Sequence, residues 1–297
     1  MSQSVFEENS LIWIDGQFVK YKDATCVHIA SHSLHYSSSI FEGIISFDGK
    51  VFELPRHVDR FFNSAETLGI NLDLTKQTLI DAISQVIQEN NYVSGLYYVR
   101  PLAWRDVEDA TIKGYKDAKA HIAIMSRRLF NSLNKDILPI NLLLSSWKKA
   151  PRSCLPYDCK GSGNYLIPIL SKQEARNKGL DDALLVDCDG LIAEAGSANS
   201  FFVKEKTLFT PYTTHCLNGI TRQNIIKLAK DNGYSVVEAN IFPDEIENFD
   251  ELFLTGTAVG VLSVASVTLS TKTKVEFKKF DTTNAFKQMY KERVISF

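Results

Sequence analysis

Three short stretches share one design, and that design limits the folds open to this chain. Residues 11–20 read LIWIDGQFVK, residues 44–54 read IISFDGKVFEL and residues 183–193 read ALLVDCDGLIA. Each sets an Asp-Gly pair among β-forming residues. A tight hairpin turn that matches strand twist needs positive φ at its central positions. Gly adopts this without steric cost and Asp tolerates it. Three antiparallel hairpins are therefore expected. The run Asp187-x-Asp189-Gly190 is also the opening of a calcium loop, but it lacks the third ligand position and the spacing to a terminal Glu, so the hairpin reading is preferred.

Between the hairpins the apolar period changes to three and four. Val58, Phe61, Phe62, Ala65 and Leu68 predict a helix over 55–68, ended by Gly69. Leu79, Ile80, Ile83, Val86 and Ile87 predict a second, with Thr75 as its N-cap. Helices are also expected over 165–178 and 221–232, closed by Gly179 and Gly233. Strands are expected over 96–103, 121–125, 140–146, 201–204 and 251–255. Hairpins mixed with helices make an α+β chain, not a strict βαβ alternation. At about 100–200 residues per domain, 297 residues predict two domains. The polar stretch 126–136, SRRLFNSLNKD, lies between two apolar strands and is the expected interdomain loop. It separates an N-terminal α+β domain, 1–125, from a C-terminal α+β domain, 137–297. The mixed-charge run 272–279 is expected to be a solvated edge.

Several functions are disfavoured by composition and motif. Lys and Arg number 33 against 35 Asp and Glu, a net charge of −2, which argues against a nucleic-acid or acidic-membrane partner held by bulk charge. Residues 252–271 carry no charge, but Gly256, Gly260 and many β-branched residues make a buried strand–turn–strand a better reading than a membrane span. The opening MSQSVFEENS has neither the apolar run of a secretory signal nor the arginines of a transit peptide. Five cysteines, an odd number without a C-x-x-C pair, are expected as free thiols in a reducing cytosol. His28, His32 and His35 fall close together, yet no carboxylate or Cys joins them at ligand spacing and HExxH is absent, so structural histidines and no metal are expected. Neither a G-x-S-x-G elbow, a Walker A loop nor G-x-G-x-x-G occurs.

What remains is a scattered set that makes chemical sense together. Lys160, in DCKGSGNYL, has small neighbours that leave room for a flat ligand, and a lysine can form a Schiff base with an aldehyde cofactor. Taken alone, such a lysine is most often a surface residue. Glu194 follows the third hairpin; a carboxylate facing a pyridine nitrogen keeps it protonated. Residues 217–222, LNGITR, open a helix whose free N–H groups and Thr hydroxyl form a phosphate cradle, or an ordinary N-cap. Gly256-Thr257 ends a strand and offers a second cradle, and Arg60 on the first helix adds a cation. Together these suggest a pyridoxal-phosphate enzyme.

The ordered segments SHSLHYSSSIFEGI, HVDRFFNSAETL, YYVRPLAWR, SSWKKAPRSCLPYDCKGSGNYL, EAGSANSFFV, LNGITRQNIIKLA and ELFLTGTAVGVLSV closely resemble the class IV, or fold-type IV, pyridoxal-phosphate aminotransferases. Among these, the resemblance is to the branched-chain amino acid aminotransferases, and it spans about residues 12–264. It implies a two-domain α+β fold like that of D-amino acid aminotransferase, with pyridoxal 5'-phosphate between the domains, and a homodimer or higher homo-oligomer in the cytoplasm. By resemblance, Lys160 is the catalytic Schiff-base lysine and Glu194 the partner of the ring nitrogen. Arg60, Ile220, Thr221 and Thr257 would hold the phosphate, and Tyr165 would lie beside the ring oxygen. Thr257, Ala258 and Tyr98 would meet the substrate α-carboxylate. Tyr36, Phe41 and Tyr165 would wall the side-chain pocket, and Arg100, helped by Tyr36, would take a distal carboxylate. The implied reaction moves an amino group between leucine, isoleucine or valine and 2-oxoglutarate, giving 2-oxo acids and L-glutamate.

The chain departs from the family pattern after Gly256-Thr257-Ala258. Val259-Gly260 stands where relatives often carry an alanine and an acid, and a following proline is also missing, which alters the turn beside the expected carboxylate site. A D-amino acid aminotransferase and an aminodeoxychorismate lyase share the same lysine and are the alternatives within the fold. A binding protein without activity is the alternative outside it.

Overall fold

A computed structural model describes residues 7–107, 111–112, 118–129, 137–269 and 273–297. The chain divides into two compact units. One comprises Met1–Phe130, Asp158–Gly163 and Phe297; the other comprises Asn131–Tyr157 and Asn164–Ser296.

The first unit is a sheet carrying helices. In chain order it contains β1 (Leu11–Ile14), β2 (Gln17–Lys20), α1 (His32–Tyr36), β3 (Ser39–Phe41), β4 (Ile44–Phe47), β5 (Lys50–Val51), α2 (Leu54–Thr67), α3 (Lys76–Glu89), β6 (Leu96–Arg105) and β7 (Ala120–Arg128). The strands run β2-β1-β7-β6-β4-β5, with β3 also paired to β6, and every pairing is antiparallel. Both expected Asp-Gly turns are present. Asp15 and Gly16 have φ of 47° and 92°, and Asp48 and Gly49 have 47° and 81°. The three–four spacing of α2 and α3 turns Val58, Phe61, Ala65, Leu79, Ile83 and Val86 onto Ile44, Val99, Ile122 and Ile124 of the sheet. Burying a side chain such as Phe61 contributes roughly 1.5–3 kcal/mol before entropy is counted. Thr75 caps α3 as expected, accepting from the Thr78 N–H at 3.1 Å.

The second unit contains β8 (Ile140–Lys148), α4 (Leu166–Asn177), β9 (Asp182–Val186), β10 (Ile192–Ala195), β11 (Asn199–Lys204), β12 (Thr207–Pro211), α5 (Ile220–Asp231), β13 (Ser235–Ala239), β14 (Glu251–Gly256), β15 (Gly260–Thr268), β16 (Lys274–Glu276) and α6 (Asp281–Ile295). Its mixed sheet runs β10-β9-β8-β15-β14-β11-β12-β13, with β16 on β15. The uncharged run 252–271 forms the β14–β15 hairpin for most of its length. The third Asp-Gly stretch pairs β9 with β10. Asp187 closes its loop by accepting the N–H groups of Asp189 at 3.0 Å and Leu191 at 2.9 Å. No described helix is long and apolar enough to cross a membrane.

Three features differ from the sequence reading. Strand β7 continues to Arg128, so the first residues of the expected loop 126–136 are sheet; residues 130–136 lie outside the described residues. Part of the mixed-charge run is ordered as the strand β16, which the sequence reading did not expect, although its Lys274 and Glu276 are exposed as a solvated edge requires. The third difference concerns Lys160, assigned above to the C-terminal domain. Its segment Asp158–Gly163 belongs to the first unit, because its hydrogen bonds are made there.

Candidate active site

The backbone of Lys160 is tied down on both sides. Its N–H donates to Ser64 Oγ on α2 at 2.9 Å, and its carbonyl accepts from the Phe41 N–H on β3 at 3.2 Å. Gly161 bridges to Ile40. A side chain at Gly161 would press on Cys159 Sγ and Leu68 Cδ1, each 3.2 Å from its Cβ position, so glycine lets the segment lie against α2. The Lys160 ammonium lies 5.2 Å from the centre of the Phe41 ring.

Arg60 lies one helical turn after His57 on α2, and both point at Glu42. Glu42 has no exposed surface. Arg60 donates through Nε to Oε1 at 2.6 Å and through Nη2 to Oε2 at 2.9 Å. His57 Nδ1 is 2.8 Å from Oε2. Burial, the largest single influence, would raise the Glu42 carboxyl, but the electrostatic pull of Arg60 and His57 and the hydrogen bonds from both together hold it well below the usual carboxylate range. Burial pushes the His57 imidazole down, against the pull of Glu42, so it donates as a neutral ring.

Arg100, on β6, adds a further cation to the same unit. Its guanidinium lies 4.8 Å from the Phe41 ring and 5.2 Å from the Tyr98 ring, and Nη2 donates to the Tyr98 hydroxyl at 2.7 Å. Its buried Nε has no hydrogen-bond partner among the described residues. Gly43 leaves the space that the Tyr98 phenol fills; any side chain there would collide with the ring. Tyr36 ends α1, 40% exposed, with its ring 4.8 Å from that of His32. His32 bonds Ser38 Oγ at 2.7 Å and His35 bonds the Ile29 carbonyl at 2.9 Å.

The second unit gathers the other expected residues around Asn199. Glu194, on β10, is ion-paired through Oε1 with the buried Lys149, and its Oε2 accepts from Asn199 Nδ2 at 3.2 Å. The same amide group donates to the Leu217 carbonyl at 2.9 Å. Asn199 Oδ1 occupies the space where a side chain on Gly219 would lie. Gly219 precedes α5, so Ile220 and Thr221 open a helix that no side chain caps. Thr221 is buried, with its hydroxyl 3.5 Å from that of Tyr290. Asn199 also pairs in register with Thr255, two residues before Thr257. The buried Thr255 hydroxyl has no partner among the described residues. Thr257 and Ala258 form the turn between β14 and β15 and line a cavity of about 210 Å³ with Lys172 and Asp182. Tyr165 is the half-buried N-cap residue of α4.

Sequence reasoning missed Ser64, His57, Lys149 and Asn199, and saw Glu42 only as part of a motif. A signal existed for His57, three residues before Arg60 on one helix face. Lys149 stands beside Lys148 with nothing local to mark which of the two is buried.

An Amino-transferase class IV family model matches residues 39–267. A probable branched-chain-amino-acid aminotransferase of Rickettsia felis is 40% identical over 280 residues, covering 94% of each chain. The branched-chain-amino-acid aminotransferase of Escherichia coli K12 is 35% identical over 263 residues, covering 86% of this chain and 84% of its own. Among solved structures, the T.th. branched-chain amino acid aminotransferase complexed with N-(5'-phosphopyridoxyl)-L-glutamate superimposes with a TM-score of 0.88 at 31% identity, over 97% of this chain and 95% of that one. The chain is a member of the class IV aminotransferase family. It is a transaminase, with the mixed α and β content and two sheets of that fold.

Class IV aminotransferases depend on pyridoxal phosphate, and the residues present fit such a group. The N-terminus of α5 is uncapped, and Asn199 Oδ1 lies where a side chain on Gly219 would go, so only glycine fits in front of that helix start. Lys160 offers a primary amine, and Glu194 a carboxylate with each oxygen already oriented.

Proposed function

We propose that this enzyme carries out pyridoxal 5'-phosphate-dependent transamination between branched-chain L-amino acids (leucine, isoleucine and valine) and 2-oxoglutarate. The observation that carries the reading is Arg100. A pocket for both leucine and glutamate needs an apolar wall interrupted by one fixed cation, because an unpaired buried carboxylate is costly. Arg100 lies against Phe41 and Tyr98, is held by the Tyr98 hydroxyl, and keeps a buried donor without a partner among the described residues. Arginine stays charged and offers a fork of donors to a carboxylate. Relatives named as branched-chain aminotransferases, and a neighbour complexed with a phosphopyridoxyl-glutamate, support the same reading.

The cofactor, when bound, supplies the electron sink for the carbon that loses its proton. Lys160 Nζ would accept the proton of the substrate α-carbon and then give it up again to the cofactor's former aldehyde carbon, as base and then acid. Glu194 holds a proton on the ring nitrogen. Arg60 and the opening of α5 with Ile220, Thr221 and Thr257 bind the phosphate. Tyr165 orients the ring oxygen, and Thr257, Ala258 and Tyr98 hold the α-carboxylate. Tyr36 and Phe41 keep water from the side-chain pocket. The same reading expects a cytoplasmic homodimer or higher homo-oligomer.

Single-turnover absorbance changes, measured separately for leucine and glutamate, test the assignment. Arg100→Met should slow the glutamate half-reaction about tenfold to a few hundredfold, the loss of one charge-assisted hydrogen bond or more, and leave leucine nearly unaffected. Equal loss on both substrates would remove Arg100 from side-chain recognition. Turnover of D-alanine in place of L-leucine would overturn the substrate assignment.

A further inference from the structure

Glu194 is held from behind by a cation that no expectation from the sequence assigned. Lys149 follows the end of β8, is 4% exposed, and pairs with Glu194 Oε1. Its N–H donates to the Val186 carbonyl at 2.8 Å, which fixes the main chain beneath it. Its ammonium lies 4.1 Å from the centre of the Tyr157 ring. That ring is itself buried, with its hydroxyl donating to the Ala150 carbonyl. Glu194 therefore has a buried ammonium on one oxygen and a buried amide, from Asn199, on the other.

We propose that Lys149 is a positioning residue that aims Glu194 at the ring nitrogen of the bound cofactor. The inference rests on the proposed role of Glu194. A carboxylate oxygen has two lone-pair directions. With one direction on each oxygen taken by Lys149 and Asn199, the plane of the carboxylate is set, and the remaining directions are what a ring N–H can reach. A free glutamate would lose its side-chain rotational freedom on meeting the ring. Here that loss is already met in the folded chain, so binding keeps more of the charge-assisted hydrogen bond. Partners behind metal-binding side chains commonly change affinity by about ten- to a hundredfold, and the same scale is expected of this support.

Binding to the apoenzyme, read by fluorescence titration, separates this role from a structural one. Two probes are used: pyridoxal 5'-phosphate and its analogue with C–H in place of the ring nitrogen. Lys149→Met should weaken the first by about ten- to a hundredfold and the second little. Lys149→Arg, which keeps a cation at Oε1, should restore most of the difference. Lys149→Gln replaces Met if the Met variant does not fold. Equal weakening of both probes would mean that Lys149 only supports the fold, and the proposal fails. Glu194→Gln is the control for the underlying reading. If that variant does not distinguish the probes, Glu194 does not face the ring nitrogen and the reading itself fails. If it does distinguish them and Lys149→Met does not, only the Lys149 proposal fails.

Discussion

In the first unit a fully buried carboxylate, Glu42, stands behind an arginine that is 13% exposed. In the second, a lysine at 4% stands behind a glutamate at 14%. The two pairs use one device with the charges exchanged. In each, the member expected to touch the ligand keeps some surface, and its counter-charge is withdrawn from water. The teaching is energetic. An isolated buried charge is costly, so a side chain that must present charge in a pocket is steadied by a partner placed where ligand does not reach. The pairs differ in their third member. Glu42 has His57 beside it, whereas Glu194 has the uncharged amide of Asn199.

The strongest way to break the comparison is to remove the buried member of the first pair. Glu42→Gln leaves the Arg60 guanidinium facing an amide and should cost about 3–5 kcal/mol of unfolding free energy, the usual loss when one partner of a buried pair is deleted. Urea denaturation reads it. Replacing both partners, as Glu42→Gln with Arg60→Met, should recover part of that loss, because the stranded charge is gone. A cost below about 1 kcal/mol for the single variant would place the pair with exposed ion pairs and end the analogy.

A pH series sharpens the difference in third members. The folded-state value of His57 is lowered, so its contribution is fully present above the unfolded imidazole value of about 6.5 and is lost as pH falls below it. The Glu42 value is also lowered, so its contribution is present above the unfolded carboxylate value of about 4.3 and is lost as pH falls further. Stability should therefore decline in two stages, first below about pH 6.5 and again below about 4.3. Each group adds at most roughly 1.4 kcal/mol per pH unit. In His57→Gln the first stage should weaken while the second persists. Denaturation midpoints between about pH 8 and pH 2 would show it, and an unchanged first stage would assign that stage to other histidines.

Local features were legible in the sequence. The Asp-Gly hairpins, α2 to α5 and the uncharged β14–β15 run each declare themselves within about a dozen residues, through a period or a turn dipeptide. Helix α6 did not. Its buried residues Phe286, Tyr290 and Val294 recur every four positions, but they are few and sit among charged and amide residues. Its start is also capped from afar, by the Glu251 carboxylate accepting the N–H groups of Thr282 and Thr283. Distance likewise hid the supports of the site. Lys149 and Glu194 are 45 residues apart, and Ser64 and Lys160 are 96 apart. The expected roles of Lys160, Glu194 and Arg60 came from resemblance to a family, and resemblance names the residues that meet a ligand more readily than those that hold them.

The smallest expected effect contrasts two helix starts. Helix α3 begins at Thr75, whose hydroxyl oxygen accepts the Thr78 N–H and lies 2.8 Å from the Thr78 hydroxyl. Helix α5 begins at Gly219 with no side-chain cap. The first arrangement satisfies an N–H group that the helix itself cannot reach. The second leaves its opening N–H groups to whatever lies in front of them, in keeping with phosphate binding there. Thr75→Ala should thus cost about 1 kcal/mol of stability, within the range for loss of a threonine cap. It should not alter cofactor affinity. Gly219→Ala should do the reverse in proportion: its new methyl would drive Asn199 Oδ1 aside, disturbing the amide that holds both Glu194 and Leu217. Fluorescence titration of the apoenzyme with pyridoxal 5'-phosphate, beside urea midpoints for both variants, measures the contrast. If Thr75→Ala weakened cofactor binding as much as Gly219→Ala, capped and open helix starts would not divide stability from binding in this enzyme.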